Sequence, residues 1–157
     1  MKVIILAGGL GTRLSEETTL KPKPMVNIGS YPILWHIMKY YSSFKFDDFI
    51  LALGYKGEII KNYFINYGNN YANLTVNTSS GKFERKSKPA ENWTIDLLDT
   101  GFDTQTGGRI KRAMESVPGQ RVMATYGDGL ANINLEKLLE FHKSHGKLAT
   151  LSAVRPP

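Results

Sequence analysis

Val3-Ile4-Ile5-Leu6-Ala7-Gly8-Gly9-Leu10-Gly11-Thr12-Arg13-Leu14 stands almost at the start of the chain, behind only Met1-Lys2. Val3 to Leu6 is apolar at every position, so the segment reads as a strand buried on both faces. That pattern belongs to a parallel sheet with helices on each side. The strand breaks at once into a glycine-rich turn ending in Arg13. Backbone N–H groups in such a turn can approach an anion closely, with a fixed cation beside them. The arrangement suits the phosphates of a nucleoside triphosphate. Neither common phosphate loop fits. The dinucleotide fingerprint G-x-G-x-x-G starts correctly at Gly9-Leu10-Gly11 but meets Leu14 in place of its last glycine, and loop-like sequence follows it. A Walker A loop needs Lys-Ser/Thr after its glycines, where this chain has Arg13-Leu14.

Outward from that turn the pattern alternates. Residues 8–30 read as a long, functional loop. Within it Lys21-Pro22-Lys23-Pro24 brings two more cations, and the alternating prolines predict extended backbone that projects at least one of the two lysines into a phosphate site. Pro32 opens a helix whose apolar positions are Ile33, Leu34, Ile37, Met38 and Tyr41, running to about Ser43. A buried strand is expected at 49–53. A helix follows on Ile59, Ile60, Tyr63, Phe64 and Tyr67, stopped by Gly68. Residues 69–92 form an exposed excursion with a short strand at 75–78. A strand at 93–98, a Thr- and Gly-rich loop at 99–108 and a basic amphipathic helix at 110–117 come next. A strand at 122–126 runs into Gly127-Asp128-Gly129. Asn134 caps a helix with Leu135, Leu138, Leu139 and Phe141 on its apolar face, ending at Gly146. A last strand is expected at 148–154. This order predicts an α/β fold: a Rossmann-like, doubly wound mixed sheet flanked by helices, in one domain over 1–157. The chain stops at Pro157, directly after that last strand, so the sheet is expected to be unfinished and the chain truncated at its C-terminus.

Composition bounds the function. The chain has 157 residues, 41% hydrophobic and 22% charged, with a net charge of +6 and no cysteine. Disulfides and thiolate metal sites are therefore excluded. No apolar run is long enough for a membrane span, and Met1-Lys2 is followed by too short an apolar stretch for a signal peptide. A cytoplasmic protein is expected. The basic residues fall in scattered clusters at 21–23, 82–88 and 109–112, without a long basic helix or an aromatic stacking stripe, which argues against nucleic acid; small anionic ligands account for the first and third clusters, and the second is a solvated excursion. Trp35 and His36 read as packing residues, and His142 and His145 as cations at a helix C-terminus.

Two further positions bear on chemistry. Tyr126-Gly127-Asp128-Gly129 lies at the carboxyl end of an apolar strand, where open α/β sheets bind ligands. A carboxylate there, with glycines that keep space clear, suits Mg²⁺, which takes few protein carboxylates and shares phosphate oxygens and water. Asp128 as a plain turn former is the alternative. The loop from Asp99-Thr100-Gly101 to Thr106-Gly107-Gly108-Arg109 opens a basic helix whose N-terminus could hold a base or phosphate, or is an ordinary connection.

Taken together, L-A-G-G-x-G-T-R-L, K-P-K-P with Met25 to Gly29, Pro32-Ile33-Leu34 and the later Y-G-D resemble the sugar-1-phosphate nucleotidyltransferases. The likeness covers essentially the whole chain. Ser15-Glu16-Glu17-Thr18, Pro32 to Met38, Gly54-Tyr55-Lys56-Gly57, Thr106-Gly107-Gly108-Arg109 and Tyr126 to Gly129 are similar to the branch acting on CTP and glucose 1-phosphate. The resemblance implies cytidylyl transfer giving CDP-glucose and pyrophosphate, with Mg²⁺ as cofactor, in deoxysugar synthesis for bacterial lipopolysaccharide O-antigen, by a homo-oligomer. It implies that Leu6, Ala7, Gly8, Gly9, Leu10, Gly11, Thr12, Arg13, Lys23, Thr104, Arg109 and Gly127 hold the nucleotide. Arg13 and Lys23 would act in catalysis, and Asp128 would bind the metal. Members of the family are longer; their later half implies a second metal carboxylate and the sugar-phosphate contacts. The alternatives are a uridylyl- or thymidylyltransferase, and a nucleotide-binding module that does no chemistry.

Overall fold

The computed structural model describes residues 1–10 and 20–153. Gly11, Thr12 and Arg13 lie outside the described residues, as does the end of the strand expected at 148–154.

Eight strands and five α-helices occur among the described residues. They are β1 (Val3–Leu6), β2 (Asn27–Ile28), β3 (Tyr31–Pro32), α1 (Ile33–Ser43), β4 (Asp48–Leu53), α2 (Gly57–Ile65) and α3 (Tyr67–Asn70). Then come β5 (Leu74–Val76), β6 (Phe83–Arg85), β7 (Thr94–Asp99), α4 (Thr106–Met114), β8 (Met123–Tyr126) and α5 (Leu135–His145). The central sheet has the order β7-β4-β1-β8, and every pairing in it is parallel. Antiparallel pairing is confined to two small ribbons, β2–β3 and β5–β6. The mixture of directions therefore lies between sheets and not within the central one.

The uniform apolarity of β1 has its expected cause. Val3, Ile5 and Ala7 join one core with Leu34, Ile37, Met38 and Tyr41 of α1 and with Phe49, Leu51 and Leu53 of β4. Ile4 turns to the opposite face and packs with Ile50, Ala52, Ala113 and Val117. Successive strand residues point to opposite faces, so a strand covered on both sides must be apolar throughout.

Sheet order positions the site. The chain steps outward from β1 to β4 to β7, then returns to place β8 on the other side of β1. The reversal lies between β1 and β8, paired in register from Val3–Met123 to Leu6–Tyr126. Loops leaving two adjacent parallel strands in opposite directions open a crevice at their carboxyl ends.

Local expectations are met unevenly. α1 begins just after Pro32 and ends at Ser43. Asn134 caps α5, its Oδ1 accepting from the Lys137 N–H at 2.9 Å, and Gly146 terminates it in the left-handed region. Four readings are corrected. Lys23–Met25 is a turn of 3₁₀ helix and not extended, closed by the Met25 N–H donating to the Pro22 carbonyl; two prolines fix φ, and φ near −65° serves that turn as well as an extended chain. Gly68 does not stop a helix: α2 ends at Ile65 and Gly68 lies inside α3. α4 starts at Thr106, so Thr106-Gly107-Gly108 belongs to its first turn and not to the loop. Residues 148–153 form no strand, and Leu148 and Leu151 are almost wholly exposed; an apolar run becomes a strand only beside a neighbour that pairs with it. The excursion at 69–92 is exposed as expected, but folds around the β5–β6 hairpin. No helix among the described residues is long and apolar enough to cross a membrane.

Candidate functional site

A cavity of about 290 Å³ opens at the carboxyl ends of β1 and β8. Leu6, Gly8 and Gly9 line it from the first loop, and Lys23 and Pro24 from the 3₁₀ turn. Thr104, Gln105, Thr106 and Arg109 close it from the start of α4, and Tyr126 and Asp128 from the end of β8. Segments 23, 104 and 128 in the sequence thus meet in one place.

Two of the cavity's charged groups face each other directly. Lys23 Nζ donates to Asp128 Oδ2 at 2.5 Å, with both side chains about one-third exposed. The pair spans the crevice between the 3₁₀ turn and β8. Each group is within reach of whatever anion or cation enters the cavity.

Gly127 is required for this approach. Its N–H donates to the Leu6 carbonyl at 2.9 Å. A Cβ there would lie 2.8 Å from that same oxygen and 3.2 Å from Pro24 Cγ. The missing side chain lets the strand end and the 3₁₀ turn close on each other, which seats Lys23 opposite Asp128.

Arg109 has a different place from the one its charge suggests. It is 5% exposed, and its guanidinium serves protein oxygens. Nη1 donates to the Leu53 carbonyl, Thr100 Oγ1 and the Gly101 carbonyl at 2.8–2.9 Å. Nη2 donates to the Gly8 carbonyl at 2.9 Å and the Phe102 carbonyl at 3.0 Å. Burial pulls its pKa below the ordinary arginine value, an effect Asp99 opposes and Arg112 adds to; it stays protonated regardless. Two glycines make room for it. A Cβ on Gly8 would come within 2.3 Å of Nη1, and one on Gly54 within 2.4 Å. Arg109 thus ties the phosphate-type loop after β1 to the ends of β4 and β7, while its edge lines the cavity.

The other residues expected to hold a nucleotide divide. Leu6, Gly8, Gly9 and Thr104 line the cavity. Ala7 is buried, and its N–H donates to the Ala52 carbonyl at 3.0 Å, which is structural. Leu10 is 47% exposed and lies outside the lining. The sequence assigns no individual role to Gln105, Thr106 or Tyr126, although Thr106 and Tyr126 stand in the two motifs read there as ligand-holding. The N-terminus of α4, which brings Gln105 and Thr106, was visible in the threonines and glycines before the basic helix. Among the described residues no group of three or more His, Cys, Asp or Glu could hold a metal.

A family model described as "Nucleotidyl transferase" matches residues 2–157. The chain is 52% identical over 158 aligned residues to the glucose-1-phosphate cytidylyltransferase of Salmonella typhimurium, covering 100% of this chain and 62% of that protein. It is 48% identical to the probable glucose-1-phosphate cytidylyltransferase of Bacillus subtilis, covering 98% of this chain and 60% of that protein. The chain therefore spans about three-fifths of the length of these relatives. Among solved structures, HddC from Yersinia pseudotuberculosis complexed with GMP-PN is similar with a TM-score of 0.63 and 28% identity, over 90% of this chain and 53% of that one.

Proposed function

Since the chain belongs to the nucleotidyl transferase family, we propose that it supplies the nucleotide-holding residues of a glucose-1-phosphate cytidylyltransferase, which joins CTP and α-D-glucose 1-phosphate into CDP-glucose and pyrophosphate. The observation that carries the reading is 52% identity along the whole chain to an enzyme of that name, with Lys23 and Asp128 paired across the crevice beside β1.

In this reaction a phosphate oxygen of the sugar phosphate attacks the α-phosphorus of CTP, and the bond to the bridging oxygen of the leaving pyrophosphate breaks. The nucleophile is already ionised near neutral pH, so no general base is needed. The obstacle is repulsion between two anions, and catalysis consists of positioning and charge neutralisation. The Gly8-Gly9 backbone and the N-terminus of α4 offer N–H groups to the triphosphate. Lys23 and Arg13 balance charge on the triphosphate and on departing pyrophosphate.

One exposed carboxylate beside a phosphate-holding loop fits Mg²⁺, which draws most of its ligands from substrate and water. Asp128 would hold it, and when bound it would neutralise phosphate charge at the reacting centre. Lys23 then exchanges Asp128 for phosphate. The whole protein of this kind works in the cytoplasm as a homo-oligomer, in deoxysugar supply for surface polysaccharide.

The test is pyrophosphate release from the whole protein with glucose 1-phosphate and each of CTP, UTP, dTTP and GTP. CTP should be used at least tenfold more efficiently than the others. Preference for UTP or dTTP overturns the cytidylyl reading, and nucleotide binding without pyrophosphate release from any of them overturns the enzymatic one.

A further inference from the structure

Thr104 lines the cavity, and its side chain is held from two sides by space that glycines leave open. Arg112 Nη1 donates to Thr104 Oγ1 at 2.6 Å and also to the Thr100 carbonyl. This guanidinium edge occupies the place of a missing side chain: a Cβ on Gly101 would lie 2.6 Å from Arg112 Nη1 and 2.8 Å from Thr104 Oγ1. Gly101 also has φ of +89°, a conformation that disfavours any other residue. On the opposite side, the Thr104 methyl group Cγ2 rests where a Cβ on Gly108 would be, 2.8 Å away. The threonine is thus fixed at its hydroxyl by a cation and at its methyl by a bare α-carbon.

Arg109 and Arg112 are one turn apart on α4. Arg109 takes the inner side of the loop, Arg112 the outer. Two like charges on one loop repel each other, and the carbonyl and hydroxyl oxygens offered by residues 100–104, with the Leu53 and Gly8 carbonyls, make the pairing tolerable. An arginine has no acceptor atom, so the Thr104 oxygen must be the acceptor of its contact with Arg112. The hydroxyl proton is then left to be donated elsewhere, and the neighbouring cation makes it a stronger donor.

We infer that Arg112 is a positioning residue for nucleotide recognition: it fixes the Thr104 hydroxyl so that this group meets the bound nucleoside triphosphate as a hydrogen-bond donor. The inference rests on the proposed reading that this cavity takes a nucleotide. Arg112 itself touches no substrate and acts through Thr104.

The experiment is a double-mutant cycle in the whole protein, with KM for CTP and kcat measured by pyrophosphate release, CTP Kd by calorimetry, and Tm alongside. Arg112→Gln and Thr104→Val should each raise KM and Kd about tenfold, the worth of one hydrogen bond involving a charged group, with kcat within twofold. The double variant should be no worse than Thr104→Val alone, because both substitutions remove the same contact. Arg112→Lys, which keeps a donor in reach of the hydroxyl, should recover most of the affinity. Unchanged KM in Arg112→Gln, multiplicative losses in the double variant, or a loss in kcat with KM unchanged would each overturn the inference. Should Arg112→Gln not fold, Gly108→Ala presses on the Thr104 methyl group without touching Arg112. It should raise KM likewise, and normal KM in it overturns the inference too. If the wild-type protein uses another nucleotide in place of CTP, the cytidylyl reading fails by itself, and the same cycle run with that nucleotide decides the role of Arg112.

Discussion

Arg109 shows how a single residue changes meaning when its partners are seen. The resemblance implies that it holds the nucleotide, and the fold gives its terminal N–H groups five oxygens of the protein while its edge lines the cavity. Arg109→Met should therefore lower stability by about 3 kcal/mol, since several buried carbonyls lose their donor. Arg109→Lys should recover little, because one ammonium cannot span oxygens that a planar fork reaches together. Urea unfolding measures both, and an unshifted midpoint in Arg109→Met would contradict the structural role. Lys23 and Asp128 behave in the opposite way, since their 2.5 Å contact lies within the cavity itself. Asp128→Asn should cut Mg²⁺-dependent turnover about a thousandfold. Lys23→Met should cost turnover too, yet tighten binding of Mn²⁺ in the absence of nucleotide, because the ammonium no longer competes for the carboxylate. Calorimetry with Mn²⁺ alone separates these effects, and weaker metal binding in Lys23→Met would mean that the pair is not a competition.

At the scale of elements, what could be read in the sequence was whatever depends on neighbours along the chain. α1 and α5 follow from the spacing of Leu34, Ile37 and Met38 and from the cap at Asn134. The site was legible in its pieces, at Gly8-Gly9, Lys23 and Asp128, because each stands at a strand end or in a proline-fixed turn. Elements set by distant partners were not legible: residues 148–153 were apolar enough for a strand but pair with no strand among the described residues. Nor was there a visible stacking stripe, although Tyr31 stacks on Trp35 at 4.1 Å and Tyr67 and Tyr71 join Trp93 and Tyr31 around it. Those rings come from separate elements, and only the fold assembles them. The cluster encloses Glu91, which accepts from Tyr67 Oη at 2.6 Å and from Lys39 Nζ at 3.0 Å. Burial by itself would raise the Glu91 pKa; the hydrogen bonds from Tyr67 and Lys39 outweigh it, and the carboxyl ends below its ordinary value. A carboxyl whose pKa is lower folded than unfolded binds fewer protons in the native state. Its stabilising contribution is present above the ordinary carboxylate range and disappears as pH falls through the folded pKa. Glu91→Gln should accordingly lower Tm at pH 7 and make Tm less steep below about pH 5. An acid limb as steep as that of the wild type would mean that Glu91 does not contribute to it.

Over the whole molecule, charge and topology act on the same ligand. The net charge of +6 is high for a chain of this size, and it could serve a polyanion or a small one. The fold argues for the small one. Its basic residues are dispersed among separate uses: Arg109 is buried against protein oxygens, Lys39 and Lys86 pair with Glu91 and Glu84, and Lys2 pairs with Asp96. A duplex needs a continuous row of cations at the spacing of its phosphates, whereas a triphosphate needs a few at one point. The reversal of strand order between β1 and β8 supplies that point, a crevice of about 290 Å³ with Lys23 at its wall. Both proposed substrates are anions drawn by the same field, so their encounter should be sensitive to salt even where no single contact changes. Raising ionic strength from about 20 to 200 mM shortens the screening length roughly threefold. In the whole protein kcat/KM for CTP should then fall several-fold, carried by KM with kcat steady, while a duplex oligonucleotide shows no retardation in a gel at the higher salt. Salt-independent kcat/KM would remove steering from the account, and tight oligonucleotide binding that weakens steeply with salt would return the positive charge to a nucleic-acid role.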